Sequence, residues 1–143
     1  MIVEGNGKLF LDEKDLWPEG KFVTAHIIVS TRFLKQHREL VKQWIQAHVE
    51  ITDWINHHTA EAKEIVNNEI KKIAGKALPL KVLDAAFSRT SLTYDPIKSS
   101  LLKSAERAYE AGFLGKQRPD ISYIYDLSLL NEILEETKHN PLH

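Results

Sequence analysis

Seven histidines in a chain of 143 residues make metal ligation the first chemistry to test. His57 and His58 are adjacent, so on a helix their side chains point about 100° apart and cannot easily share one ion. His48 lies nine residues before His57, and no His-Glu-x-x-His pattern occurs. His48 falls on an apolar stripe instead, where a hydrogen-bonded core imidazole is expected. The sequence has no cysteine, which excludes disulfides, thiol nucleophiles and zinc–thiolate sites. There is no Gly-x-Ser-x-Gly elbow and no phosphate-binding glycine loop. Glu135 and Glu136, like Glu61 and Glu64, read as solvated helix-face charges rather than an acid/base pair. Trp44 and Trp54 fall close to the buried side of one long helix and read as core packing. No catalytic constellation emerges, so the expectation is a protein that is not an enzyme and takes neither metal nor cofactor.

One location has a physical case for ligand contact. Thr24 and His26 stand at alternate positions of an apolar run, hence on one face if that run is extended. A hydroxyl and an imidazole at the mouth of such a strand can donate hydrogen bonds to an anion. The plainer reading is a threonine of high β-propensity and a polar strand-end histidine.

The elements that must position these two residues are unevenly distributed. The run Phe22–Ser30, with Val23, Ile27, Ile28 and Val29 β-branched, predicts a buried strand, and KLFL at residues 8–11 a short second one. Ser30 or Thr31 caps the next helix, which carries Phe33 and Leu34 in its first turn. From Arg38 a helix places Leu40, Val41, Trp44, Ile45, His48, Ile51, Thr52 and Ile55 on one side. Thr59 is the expected N-cap of a second helix that buries Ala62, Ile65, Val66, Ile70 and Ile73 and ends at Gly75. Pro79 opens a shorter helix, Leu80 to Ser88. Asp95-Pro96 signals another, running to Gly112, and Asp126 a last one with Leu127, Leu130, Ile133 and Leu134 inward. The tail KHNPLH is expected to fray. A single good strand amid helices is odd, because a strand needs neighbours to satisfy its backbone.

Composition bounds the rest. The hydrophobic content of 43% suits a globular chain able to bury a core. A formal charge of −1, from 19 Lys+Arg and 20 Asp+Glu, gives no electrostatic footprint for nucleic acid. No apolar window reaches the length of a transmembrane helix. The opening MIVEGNGKLFLDEKDLW carries acids and glycines where a signal peptide has a basic and then an apolar region. The chain is therefore expected to lack a targeting signal, being either cytoplasmic or shorn of a preceding segment.

Taken together, DEKDLWPEGKFVTAHIIVSTRFLKQHRELVKQWIQAHVEITDWI, then AKEIVNNEIKKIAGKALPLKVLDAAFSR, SLTYDPIKSSLLKSAERAYEAGFL and DISYIYDLSLLNEILEE carry a resemblance. In order and spacing they resemble the second half of the aliphatic sulfonate substrate-binding proteins of ABC importers, in the nitrate/sulfonate/taurine group. The resemblance covers about residues 8 to 136. It implies a mostly α chain with one or two short strands, a fragment of an α/β two-lobed periplasmic-binding-protein fold of type II. Residues 1–20 would be a remnant of the second lobe, 21–30 the strand returning across the hinge, and 31–143 the helical part of the first lobe.

The resemblance further implies ligand capture by clamshell closure and delivery to an ABC permease, with a sulfonate or related small organic anion as ligand. The full-length protein would be extracytoplasmic, periplasmic or lipoprotein-anchored. Of the anion-gripping positions, only Thr24 and His26 are expected to remain. The N-terminal lobe becomes an expected partner, and self-association through exchange of Phe22–Ser30 an expected consequence of its absence. The rival reading is a self-contained helical protein-interaction module, dimeric through its strand.

Overall fold

The computed structural model describes residues 2–143. The fold is all-helical: 58% of residues are in helices and none of the described residues is in a strand. After a single helical turn, Ile2–Gly5, and two 3₁₀ turns, Glu13–Leu16 and Pro18–Gly20, come six helices. They are α1 Thr31–Gln36, α2 Arg38–His57, α3 Thr59–Ala74, α4 Leu80–Phe87, α5 Lys98–Glu110 and α6 Ser128–Glu136.

This corrects the expected fold class, a fragment of an α/β two-lobed protein with one or two short strands. Neither Phe22–Ser30 nor KLFL forms a strand. The physical reason is the one that made a lone strand odd: β-propensity describes a residue's fit to a sheet, and no second strand offers an edge here. Without a ladder the backbone must be solvated, so the segment is exposed rather than buried. Ile28 is 85% exposed and Phe10 fully so.

The chain divides into two compact units, Met1–Phe10 with His48–Tyr94, and Leu11–Ala47 with Asp95–His143. Helix α2 contributes its C-terminal part to the first and its N-terminal part to the second.

Among the described residues of the first unit, Val49, Thr52, Ala62 and Leu83 are buried. Helix α4 packs against α3 and against the turn Ile2–Gly5, and Lys63 bridges to Asp84 at 2.6 Å. Gly75 ends α3 in the left-handed region (φ +80°), with its N–H donated to Lys71 O. Only glycine adopts that conformation without cost, so the predicted stop has its expected cause. The expected cap at Thr59 is displaced by one residue. His58 occupies the N-cap position without a side-chain bond, and the Thr59 hydroxyl donates back to Ile55 O at 3.2 Å. Ile65, Val66 and Ile73, expected to be inward, are exposed.

The second unit has more buried apolar residues, Val41, Leu129, Leu130, Ile133 and Leu134. Each such side chain contributes about 1.5–3 kcal/mol relative to exposure. Charged pairs join α2 to α6: Lys42 lies 2.7 Å from Glu132 and 2.8 Å from Glu136, and Arg38 lies 2.8 Å from Glu132. Ser30 caps α1 as expected, its Oγ accepting from Phe33 N–H at 3.1 Å. Asp95 and Asp126 act slightly earlier than expected. Each accepts from the N–H two residues on, at 2.8 Å, before helices that begin at Lys98 and Ser128. The tail is not frayed, because Asn131 holds Leu142 by two hydrogen bonds.

Candidate functional site

The segment carrying Thr24 and His26 lies in the second unit, and its anchoring begins in the loop before it. Asp12 accepts from Lys14 N–H at 3.3 Å and sets the first 3₁₀ turn. Trp17 then has its Nε1–H donated to Glu13 at 2.8 Å. The Arg107 guanidinium lies 4.6 Å from the Trp17 ring centroid and donates to Leu16 O. The Phe22 ring stands 5.0 Å from Trp17. This indole–guanidinium stack fixes the loop on α5, because it joins a cation–π contact to hydrogen bonds at both ends.

Beyond Phe22 the segment is held at two points. Val23 N–H donates to the Ser100 hydroxyl at 3.4 Å, and Ser100 is only 2% exposed. His26 Nε2 lies 2.8 Å from Pro96 O. A carbonyl only accepts, so the imidazole proton in this bond sits on Nε2. Nδ1 is the ring nitrogen left for anything else. Thr24 and His26 are both exposed, and the Thr24 hydroxyl takes no part in the bonds that hold the segment.

Beside this segment is an open hollow of about 420 Å³ lined by Lys21, Asp95, Lys98, Ser99 and Tyr125 among others. Lys98 Nζ lies 5.3 Å from the Tyr125 ring centroid. Burial, and then the Asp95 carboxylate, raises the Tyr125 phenol above its ordinary value, so it stays a protonated donor. The lining also includes Glu19, which is paired with Lys21 at 2.8 Å. Two cations thus face two anions, and the hollow has no positive excess to draw an anion.

The first unit has its own open hollow, about 450 Å³, lined by Ile55, Asn56, Thr59, Val66, Phe87 and Leu92 among others. No charged side chain lines it. Asn56 Nδ2 donates to Leu92 O at 3.2 Å and Thr90 Oγ1 to Ala86 O at 3.0 Å, so its polar groups serve the local backbone.

The histidines considered as ligands are placed apart in role. His57 and His58 each bond through Nδ1 to the carbonyl one turn back, Asp53 O at 2.7 Å and Trp54 O at 2.9 Å. His58 also stacks on Trp54, with centroids 5.1 Å apart. His48 is half-buried, and burial lowers its pKa. Among the described residues no group of three or more His, Cys, Asp or Glu is placed to hold a metal ion. Glu136 is bonded to Lys42, whereas Glu135, Glu61 and Glu64 are exposed. Among the described residues no helix is long and apolar enough to cross a membrane.

Of the residues that hold the segment, Pro96 is marked in the sequence only as part of a helix start, and Ser100 is not marked at all. They lie 70 and 77 residues from their partners, and a buried serine is silent until its partner is known. No family model, no curated protein and no solved structure matches this chain.

Proposed function

We propose that this chain is the C-terminal part of a solute-binding component of an ABC importer for aliphatic sulfonates or related small organic anions. It captures its ligand together with the remainder of a longer polypeptide and delivers it to a membrane permease, without covalent chemistry of its own.

The observation that carries this reading is the state of residues 22–29. They are rich in strand-forming side chains, yet among the described residues none makes a backbone–backbone hydrogen bond, and Phe22, Ile27, Ile28 and Val29 are all exposed. An exposed apolar segment of this kind suits contact with another polypeptide. The resemblance of residues 8 to 136 to the second half of sulfonate-binding proteins supplies the candidate, the remainder of such a protein. Thr24 and His26 lie on this segment.

The helical composition favours a second reading, a protein-interaction module that binds another protein rather than a solute. One experiment separates them. The chain is mixed with the polypeptide encoded immediately upstream, and alkanesulfonates are titrated by calorimetry. The importer reading expects a one-to-one complex that takes up one sulfonate, while the chain alone takes up none. A chain that ignores the upstream product, or a complex indifferent to sulfonates, would remove the proposal and leave the interaction module.

A further inference from the structure

We propose that residues 22–28 pair edge to edge, antiparallel, with the same residues of a second copy of this chain. The inference concerns the chain by itself and does not rest on the importer reading. The edge that a sheet would occupy there is open here to another molecule.

Four observations point to a second copy. The first is the backbone. Apart from Val23 N–H, which goes to Ser100, no backbone group of residues 22–29 has a bonded partner among the described residues. A row of open donors and acceptors is a template for another strand.

The second is that the open edge and the symmetry agree. In an extended segment successive N–H groups point to opposite edges. Val23 N–H points at α5, so on pairing those of Thr24 and His26 point away from it. A two-fold axis through Ala25 sets Thr24 opposite His26 and Phe22 opposite Ile28, and these even-numbered residues are the ones whose backbone groups face the partner. That register is among those the Ser100 anchor leaves available.

The third is side-chain complementarity. The same register sets Val23 opposite Ile27, so one face of the pair is Val23, Ala25 and Ile27 from both copies. β-Branched cross-strand pairs of this kind are favourable. No Asp, Glu, Lys or Arg occurs between Phe22 and Ser30, so no like charges meet, and Lys21 and Arg32 fall outside the paired stretch.

The fourth is area. Phe22, Ile27, Ile28 and Val29 are between 41% and 85% exposed, and Phe33 continues the patch at 42%. Removing even part of this apolar surface from water on two chains favours association, at about 25 cal/mol per Å². A net charge of −1 opposes association little.

The test is sedimentation of the full chain from low to high micromolar concentration, with three variants. Ile28→Lys changes a side chain that is 85% exposed, so the helical fold, checked by circular dichroism, is kept. Thr24→Pro removes one of the donors facing the partner and leaves Val23 N–H in place. Ile73→Lys, at a position 86% exposed in the other unit, is the control. The proposal expects a monomer–dimer equilibrium weakened at least about tenfold by Ile28→Lys and by Thr24→Pro, and unchanged by Ile73→Lys. Mixed-label NMR then shows intermolecular contacts between Thr24 and His26. A chain monomeric at every concentration overturns the proposal. So does a dimer that ignores the first two variants, or one lost on Ile73→Lys.

Discussion

Asn131 grips the backbone of Leu142 with both ends of its amide: Nδ2 donates to Leu142 O at 3.0 Å, and Leu142 N–H donates to Oδ1 at 2.8 Å. Asn67 holds Leu78 in the same way, at 3.0 and 2.8 Å. In each case the partner lies eleven residues on, past the end of the helix that carries the asparagine. One clamp therefore folds the chain back beside its helix in each unit. Asparagine suits the task because it presents a donor and an acceptor side by side, as a strand neighbour does.

Replacing Asn131 by leucine, close in size but without polar atoms, is expected to cost about 1–2 kcal/mol and to free the tail. Amide exchange would rise at residues 139–143 while α6 stays protected. Asn131→Asp keeps the acceptor but sets a second carboxylate oxygen against Leu142 O, so it too should free the tail. Equal exchange in the tail of the native chain and of Asn131→Leu would mean that the clamp does not hold it.

The anchors of the candidate segment make a second prediction. Ser100→Ala removes a buried acceptor from Val23 N–H and is expected to cost about 1 kcal/mol. His26→Phe removes an exposed hydrogen bond to Pro96 O and should cost less. Both should raise exchange at residues 22–26 without changing helix content. A global loss of helix in either variant would show that the segment is part of the cooperative core rather than tethered to its surface.

A third concerns where stability resides. Leu134 is fully buried (0% exposed) and Ile73 is 86% exposed. Leu134→Ala should lose about 2–5 kcal/mol through transfer and cavity terms, whereas Ile73→Ala stays within about 0.5 kcal/mol. Urea unfolding of the two variants measures the contrast. Similar losses would indicate that Ile73 is covered in solution.

These expectations show which features of the fold are legible in one sequence. Local signals read well: Ser30 caps α1, Gly75 stops α3, and Leu130, Ile133 and Leu134 point inward, because each depends on residues within a turn or two. The strand did not survive, because a strand is a statement about a partner, and β-branched residues at 27–29 cannot supply one. Helix α2 was legible as a helix, but its buried side was only partly so. Val41 and Thr52 are buried as the stripe predicts, while Leu40, Trp44 and Ile51, on the same predicted side, are exposed. Periodicity gives a direction and leaves open how wide an arc the neighbouring helices cover. At the candidate site Thr24 and His26 are visible by type, whereas the bond from His26 to Pro96, 70 residues away, is not.

The last prediction separates two sources of acid sensitivity. The Lys42 ammonium, and after it the Arg38 guanidinium, holds the Glu132 carboxyl below its usual value of 4.5. A depressed folded-state value means that the unfolded chain binds the proton more readily. This contribution is therefore complete above the ordinary glutamate value and is lost as pH falls through the folded one. Glu132→Gln should lower the urea midpoint above about pH 4.5 and flatten its fall below, so that the variant and the native chain converge in acid.

His48 acts at higher pH and for another reason. Burial lowers its value from 6.5, so stability holds above that value and declines as pH falls toward the folded one, and His48→Gln should remove this step. Salt distinguishes the two. At 1 M the screening length is only about 3 Å, which weakens the partly exposed Lys42–Glu132–Arg38 network and leaves a desolvation effect largely intact. Two pH steps, the lower one shrinking with salt and the upper one persisting, are expected. A single step that both variants share would mean that one residue governs the acid transition and that the other assignment is wrong.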